Sequence, residues 1–197
     1  MRPCRSPYLE ETHGGHSWLS RRKGTMLNWH GAFRCAASVC TIVICMAALI
    51  APAGAAPPPS GRVQIANANS NLCLSPAGGT GNQNEQTVQY HCDTHPSRAW
   101  VIEPVEGNIV KIRNVNSNLC LTVAGGNSDR NTPSVQYSCD DHPSRRWLYA
   151  PFDGGLFRLV NVNSGLCLTI AGGSTGLNQT AVQFPCDEHP SRFFRLK

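Results

Sequence analysis

The 197-residue sequence lacks the motifs that mark most catalytic sites. It contains no Gly-x-Ser-x-Gly elbow, no zinc-binding helix motif and no glycine-rich phosphate loop. Cys-x-x-Cys and histidine pairs at ligand spacing are missing too, so neither a metal site nor a cofactor is predicted. A carboxylate pair for glycoside hydrolysis stays open, because only the separation of the two groups in space identifies it. An enzyme is nevertheless the least favoured class of function.

An excess of basic charge is lacking outside the N-terminal region. The formal net charge is +5, but residues 57–197 hold eleven of the 17 basic and ten of the 12 acidic side chains. Nucleic-acid binding requires a basic face. Nucleic acid is therefore not a predicted partner.

The one long apolar run, at residues 35–50, is too short for a membrane span. It follows Arg34, carries no charge and leads into small residues at 51–56. A basic flank, an apolar stretch and a small-residue exit are typical of a secretory signal, whereas a spanning helix needs about 20 apolar residues. We predict an N-terminal extension with a signal peptide over residues 1–56, a linker at 57–62, and a secreted mature protein without a membrane span.

The rest of the chain is a threefold repeat. The strings VQYHCDTHPSRAW, VQYSCDDHPSRRW and VQFPCDEHPSRFF begin at Val88, Val135 and Val182, each 47 residues after the last. Each follows a string of the type NSNLCL that runs into Ala-Gly-Gly. A fixed period of this size indicates a repeat architecture. The predicted repeats are residues 63–109, 110–156 and 157–197.

Six cysteines fall two to a repeat, 19 residues apart. Many pairings are possible in principle, but the threefold repeat favours those within a repeat. The favoured pairs are Cys73–Cys92, Cys120–Cys139 and Cys167–Cys186. A bridge that closes a loop of this size contributes about 3 kcal/mol in the chain-entropy model.

Each repeat also predicts four short strands. VQIAN from Val63, VKIRN from Val110 and FRLVN from Phe157 alternate apolar and polar residues, as a half-buried strand does. Leu-Cys-Leu, Val-Gln-Tyr or Val-Gln-Phe, and the segment after His-Pro-Ser-Arg supply the other three. The polar stretch before Val-Gln is predicted as an exposed hairpin tip. The expected domain is all-β, with about twelve strands and no helical periodicity.

These residues resemble the ricin-B-type β-trefoil lectins over residues 63–197. The resemblance rests on the 47-residue period, on Leu-Cys-Leu running into Ala-Gly-Gly, and on an aromatic-ended closing strand. The Gln-x-Trp motif of that family reads Arg98-Ala99-Trp100, Arg145-Arg146-Trp147 and Arg192-Phe193-Phe194 in this chain. The resemblance implies a β-trefoil in which six strands close a barrel and six cap it as hairpins. It also implies up to one sugar pocket in each repeat.

The resemblance assigns three residues of each repeat to a sugar site. In members that bind sugar, an aspartate two residues after the first cysteine accepts hydrogen bonds from the sugar, an aromatic ring stacks on it, and the Gln-x-Trp region supplies polar groups. The matching positions here are Ser75, Tyr90 and Arg98; Thr122, Tyr137 and Arg145; and Thr169, Phe184 and Arg192. Every aspartate is replaced by a hydroxyl, which we expect to weaken hexose binding. If the arginine faces that hydroxyl, the pocket is better suited to an acidic sugar.

The direction of the aromatic ring is open. Counting back from the second cysteine makes Tyr90, Tyr137 and Phe184 outward-facing, stacking residues. Counting forward from the valine of the same strand puts the rings on an inward face, as part of the core. A one-residue slip moves every side chain to the other face.

Two further residues of the loop have structural and functional interpretations. Asp93, Asp140 and Asp187 are favoured as turn caps that clamp the arginine five residues later, although they would also suit a pocket wall. His95, His142 and His189 are expected to be solvated on an exposed turn rather than to bind a metal.

The predicted function is a secreted, monomeric, non-catalytic lectin-like protein that binds a polysaccharide or glycan through several pockets. The alternative is a secreted protein-binding trefoil, such as a protease inhibitor or a host-interaction factor. Loss of the three aspartates favours the alternative. The sameness of the three pocket regions favours a repeating ligand.

Overall fold

The computed structural model describes residues 58–197, so the predicted extension and signal peptide lie outside the described residues. Within the described part, the secondary structure is twelve β-strands and seven three-residue 3-10 helices, with no α-helix. The all-β prediction is confirmed. None of the described helices has the length and apolar character of a membrane span.

The strands are distributed four to a repeat. The first repeat contains β1 (Gly61–Asn67), β2 (Cys73–Pro76), β3 (Thr87–Tyr90) and β4 (Ala99–Glu106). The second contains β5 (Ile109–Asn114), β6 (Cys120–Val123), β7 (Ser134–Tyr137) and β8 (Trp147–Pro151). The third contains β9 (Leu156–Asn161), β10 (Cys167–Ile170), β11 (Ala181–Phe184) and β12 (Phe194–Leu196). The 3-10 helices are Ala77–Gly79, Pro96–Arg98, Ala124–Gly126, Pro143–Arg145, Asp153–Gly155, Ala171–Gly173 and Pro190–Arg192.

Six strands close a barrel. Antiparallel pairing runs from β1 to β4, β5, β8, β9 and β12 and returns to β1, so none of these strands is left as an edge. The other six form the hairpins β2–β3, β6–β7 and β10–β11. Single bridges, such as Val88 to Thr180, connect the hairpins to one another. This is the β-trefoil that the sequence predicted.

The closing aromatic of each repeat is buried in the core. Trp100, Trp147 and Phe194 are fully buried. The two indole N–H groups donate to the carbonyl oxygens of Leu74 at 2.9 Å and Leu121 at 3.0 Å. Each tryptophan therefore joins a barrel strand to the hairpin of its own repeat, and Phe194 fills the same place without this bond.

The three disulfides join Cys73 to Cys92, Cys120 to Cys139 and Cys167 to Cys186. Each links the second strand of a repeat to the loop after the third strand. The within-repeat pairing is confirmed.

A buried glutamine clamps each repeat to its neighbour. The Gln136 amide donates to the carbonyl oxygens of Thr80 at 3.0 Å and Asn82 at 2.8 Å, and its oxygen accepts from the Ser117 hydroxyl at 2.7 Å. Gln89 and Gln183 make the same three kinds of bond. These bonds satisfy a buried amide that would otherwise be costly. They also hold the polar hairpin tips, which are mostly exposed as predicted, against the next repeat.

Candidate functional site

Each repeat carries one surface pocket, and the predicted site residues of that repeat line it. The cavity volumes are about 280, 340 and 230 Å³ in the first, second and third repeats. The shared lining is a hydroxyl residue, an aromatic ring and an arginine: Ser75, Tyr90 and Arg98; Thr122, Tyr137 and Arg145; Thr169, Phe184 and Arg192. The structure thus brings the residues of each predicted triplet together.

The aromatic ring faces the pocket, on the same side of its strand as the valine two residues before it. Val88 and Tyr90 both line the first pocket, whereas Gln89 between them is fully buried. Counting forward from the valine therefore predicted correctly that the valine and the ring share one face of the strand. That face is the pocket rather than the core, so the core interpretation of the ring is wrong.

The arginine lies across the aromatic ring of its own pocket. The distance from the guanidinium carbon to the ring centroid is 4.6 Å for Arg98 and Tyr90, and 4.9 and 4.8 Å in the other two pockets. Only 11%, 11% and 9% of the three arginine side chains is exposed. This cation–π contact fixes the ring and covers part of one face.

The arginine is also paired with the aspartate five residues before it. The Arg Nε to Asp Oδ1 distance is 3.5, 3.1 and 3.1 Å in the three repeats, for the pairs Arg98–Asp93, Arg145–Asp140 and Arg192–Asp187. The same Oδ1 accepts from the backbone N–H of the following histidine at 3.0 Å. These contacts agree with the structural interpretation, in which the aspartate caps the turn and clamps the arginine. Because the pair balances the guanidinium charge locally, the pockets have no net excess of positive charge from this residue.

The hydroxyls at the family's aspartate positions are almost completely buried. Thr122 Oγ1 lies 3.0 Å from Ser144 Oγ, and Thr169 Oγ1 lies 2.9 Å from Ser191 Oγ. Arg98 Nη1 donates to Ser75 Oγ at 3.1 Å, so the arginine and the hydroxyl do face each other, as the sequence hypothesis required. Each hydroxyl is bonded within the protein and shapes the pocket floor.

The histidines are exposed on their turns, as predicted, and they also have a structural role. The His142 Nδ1 accepts from the backbone N–H of Ser144 at 3.2 Å and lies 2.9 Å from its hydroxyl, which caps the 3-10 helix Pro143–Arg145. The ring also packs on Gly126, where an added Cβ would lie 2.9 Å from His142 Cε1. His95 and His189 cap their turns in the same way.

One pocket residue in each repeat was missed by sequence reasoning. Asn178 lines the first pocket, Asn84 the second and Asn131 the third, so each pocket is completed by the hairpin tip of another repeat. All three have a left-handed backbone, with φ between 58° and 66°, which asparagine tolerates better than most residues. The 47-residue spacing of these asparagines was visible in the sequence, but the crossing to another repeat was not.

The profile of the family described as "Ricin-type beta-trefoil lectin domain-like" matches residues 55–133 and 96–185. The chain belongs to this family. A ricin-type β-trefoil is thus present in sequence and in structure, and the resemblance stated above is confirmed. A sequence comparison with curated proteins gives no significant match.

Solved structures share the fold of this chain at low sequence identity. The designed threefold symmetric protein ThreeFoil superposes with a TM-score of 0.67 at 18% identity, over 68% of this chain and 96% of that protein. The exo-β-1,3-galactanase 1,3Gal43A from Clostridium thermocellum gives 0.67 at 21% identity, over 71% of this chain and 30% of the galactanase.

A Polyporus squamosus lectin solved with the glycan Neu5Aca2-6Galb1-4GlcNAc gives a TM-score of 0.62 at 18% identity, over 71% of this chain and 49% of the lectin. The ricin-type domain of this chain spans most of ThreeFoil, but less than half of the galactanase and of this lectin. At these identities the likeness establishes the fold.

Proposed function

We propose that the protein is a secreted, monomeric, non-catalytic lectin that binds a polysaccharide or glycan through its three repeat pockets. The observation that carries the proposal is the threefold recurrence of one pocket, with the same aromatic, arginine and asparagine positions each time. Membership of the ricin-type lectin domain-like family supports carbohydrate as the ligand class.

The chemistry of the pocket favours an uncharged sugar. The part of the ring left free by the arginine offers an apolar surface to the C–H groups of a sugar. The asparagine amide, which both donates and accepts, suits sugar hydroxyls. The Asp93–Arg98 pair and its equivalents leave little net charge to attract a carboxylate. The acidic-sugar hypothesis for these three pockets is therefore disfavoured.

Each pocket is expected to bind weakly by itself. The volumes lie at or below the small end of the range for small-molecule sites, about 300–1,000 Å³. The buried hydroxyls also replace an ionised acceptor, whose hydrogen bonds are about twice as strong. Three pockets on a repeating polymer compensate, because avidity can exceed a single affinity by about 10²- to 10⁴-fold.

The proposal is tested by binding to a panel of neutral and acidic glycans, followed by calorimetry with a fragment of the best ligand that is short enough to occupy one pocket. We expect Tyr90→Ala, Tyr137→Ala and Phe184→Ala each to lower the stoichiometry by one site and to leave the affinity of the remaining sites unchanged. The triple variant should not bind. Phe152→Ala is the matched control, since this exposed ring lies outside the three pockets. Undiminished binding by the triple variant would refute the proposal.

A protein-binding trefoil is the second candidate, and an apolar row on the barrel favours it. Leu148 in β8 pairs directly with Ile109 in β5 and Val160 in β9, and 40% of Leu148 is exposed. Cross-strand partners lie on the same face of a sheet, so the three side chains form one patch. Inhibition assays on secreted proteases, with Leu148→Asp as the variant, separate this candidate from the lectin.

A further inference from the structure

A pocket of about 300 Å³ lies outside the three repeat pockets, where β12 meets β1. Two backbone hydrogen bonds hold the strands together there. The Gln64 N–H donates to the Lys197 carbonyl oxygen with an N to O distance of 2.9 Å, and the Lys197 N–H donates to the Gln64 carbonyl oxygen at 3.0 Å. Gln64, Thr94 and Ala99 line the pocket, together with the cationic residues Arg62 and Lys197. The Lys197 ammonium donates to the carbonyl oxygen of Asn71 at 3.5 Å and would have to turn from it to meet a ligand. We call it the Arg62–Lys197 pocket.

The equivalent place in the second repeat is filled by an ion cluster. The residues that lie 47 positions after Gln64, Thr94 and Ala99 are Lys111, Asp141 and Arg146. Lys111 Nζ lies 2.9 Å and Arg146 Nη2 3.6 Å from Asp141 Oδ1. One carboxylate thus pairs with both cations of this group, and one positive charge is left in excess.

The equivalent place in the third repeat is filled by an arginine between two rings. Arg158 Nη2 lies 2.8 Å from Glu188 Oε1, and its guanidinium carbon lies 4.2 Å from the centroid of Phe193 and 4.6 Å from that of Phe152. Arg158 is buried by these contacts. The charges of Arg158 and Glu188 balance, and the guanidinium is enclosed by the two rings.

The first repeat has Thr94 in place of the carboxylates Asp141 and Glu188. Gln64, Thr94 and Ala99 are uncharged, and Ala99 is much smaller than Arg146 or Phe193, so the space stays open. Arg62 replaces the apolar residues found at the equivalent positions of the other repeats, which are Ile109 and Leu156. Among the residues that the structure describes, neither Arg62 nor Lys197 forms an ion pair. In the described part of the chain, two cations without a carboxylate partner thus border a cavity whose floor is partly apolar.

We propose that the Arg62–Lys197 pocket binds the carboxylate of an acidic saccharide. The planar guanidinium of Arg62 matches such a group with two parallel hydrogen bonds, and the Lys197 ammonium adds a second charge. The arginines of the repeat pockets already pair with aspartates, so acidic sugars are recognised here. The saccharide part of this inference rests on the proposed function, whereas the anion part does not.

The test is a titration of the isotope-labelled full chain, followed by NMR, with sodium glucuronate, glucose and sodium sulfate. Saturable shifts of the Gln64 amide and the Ala99 methyl are expected with glucuronate and not with glucose. Arg62→Ile, which installs the residue of the second repeat, and Lys197→Ala should each weaken glucuronate binding about tenfold, the usual effect of one charge-assisted hydrogen bond.

Two further variants sharpen the result. Arg195→Ala removes the same charge from an exposed position of β12 that does not line the pocket, and should change the affinity less than twofold. Gln64→Arg with Thr94→Glu and Ala99→Phe rebuilds the filled arrangement of the third repeat and should abolish binding. If that variant does not fold, the two single charge variants still decide.

Three outcomes would overturn the inference. Equal affinity in the wild type and in both single charge variants would show that the pocket binds no anion. If Arg195→Ala lowered the affinity for glucuronate as much as Arg62→Ile and Lys197→Ala do, the effect would come from the overall positive charge of the surface and not from this pocket. Saturation by sulfate but not by glucuronate would replace the saccharide by a free inorganic anion. The variant that lacks the three pocket rings should still bind glucuronate, so failure of the proposed function and failure of this inference are distinguishable.

Discussion

Two adjacent glycines provide a sharp test of how the pocket wall is built. Gly125 and Gly126 have nearly the same left-handed backbone, with φ of 62° and 65°. An added Cβ would meet nothing within 4 Å on Gly125, but would lie 2.9 Å from His142 Cε1 on Gly126. Alanine at the two positions therefore shares the backbone strain and differs in the clash.

The expected costs follow from this difference. A left-handed alanine costs about 1–2 kcal/mol, which is the whole effect expected for Gly125→Ala. Gly126→Ala also displaces the His142 ring, which breaks its bonds to Ser144 at 2.9 and 3.2 Å. A helix cap of this kind contributes about 0.5–2 kcal/mol. We therefore expect Gly126→Ala to cost about 1.5–4 kcal/mol.

The measurement is urea denaturation followed by the fluorescence of the buried tryptophans, with His142→Ala alone and combined with Gly126→Ala. Removing the imidazole removes the clash, so the double variant should be more stable than the sum of the two single effects predicts. Equal free energies of unfolding for Gly125→Ala and Gly126→Ala, within about 0.5 kcal/mol, would refute the reasoning.

Three other effects are expected. Gln136→Ala removes three hydrogen bonds, two of them to the first repeat, and should lower the free energy of unfolding by about 2–4 kcal/mol in urea denaturation; no change would show that the clamp is dispensable. Replacing Cys120 and Cys139 together by alanine should cost about 3 kcal/mol in the same assay, and a gain in stability would contradict this. The Lys111 ammonium lowers the pKa of the Asp141 carboxyl in the folded protein. The stabilisation from this pair should therefore be present above the unfolded-state pKa of Asp141 and be lost as the pH falls through its folded-state pKa. NMR titration of Lys111→Met should show a higher pKa for Asp141 than in the wild type.

Much of the fold was predictable because duplication repeats the same physical constraints. The 47-residue period set the number of units, and period-two alternation located the barrel strands. The cysteine spacing gave the three bridges that the structure contains. The start of β1 was less well defined. This strand begins at Gly61, inside the predicted linker, because Gly61 pairs with Ile102 of the neighbouring strand β4.

The candidate site was predictable only in part. The three triplets came from matching the family's motif positions, and each triplet lines one pocket. Whether those positions bind sugar stays a prediction. The pairing of each arginine with the aspartate five residues before it was the favoured interpretation of the sequence, and the ion-pair distances confirm it. The contact between the arginine and the aromatic ring of its pocket was not predicted, because it depends on distances that a loop sequence does not specify.

The local sequence pattern determined which residues belong to one strand, which lie on the same face of it and which cysteines lie close together. It did not settle what covers each face, since that depends on segments far away in sequence. Tyr90 faces a pocket because the hairpin tip that carries Asn178 arrives from another repeat. The open Arg62–Lys197 pocket arises where β12 meets β1, the two ends of the described barrel. Barrel closure brings such residues together, and the contacts it makes are long-range.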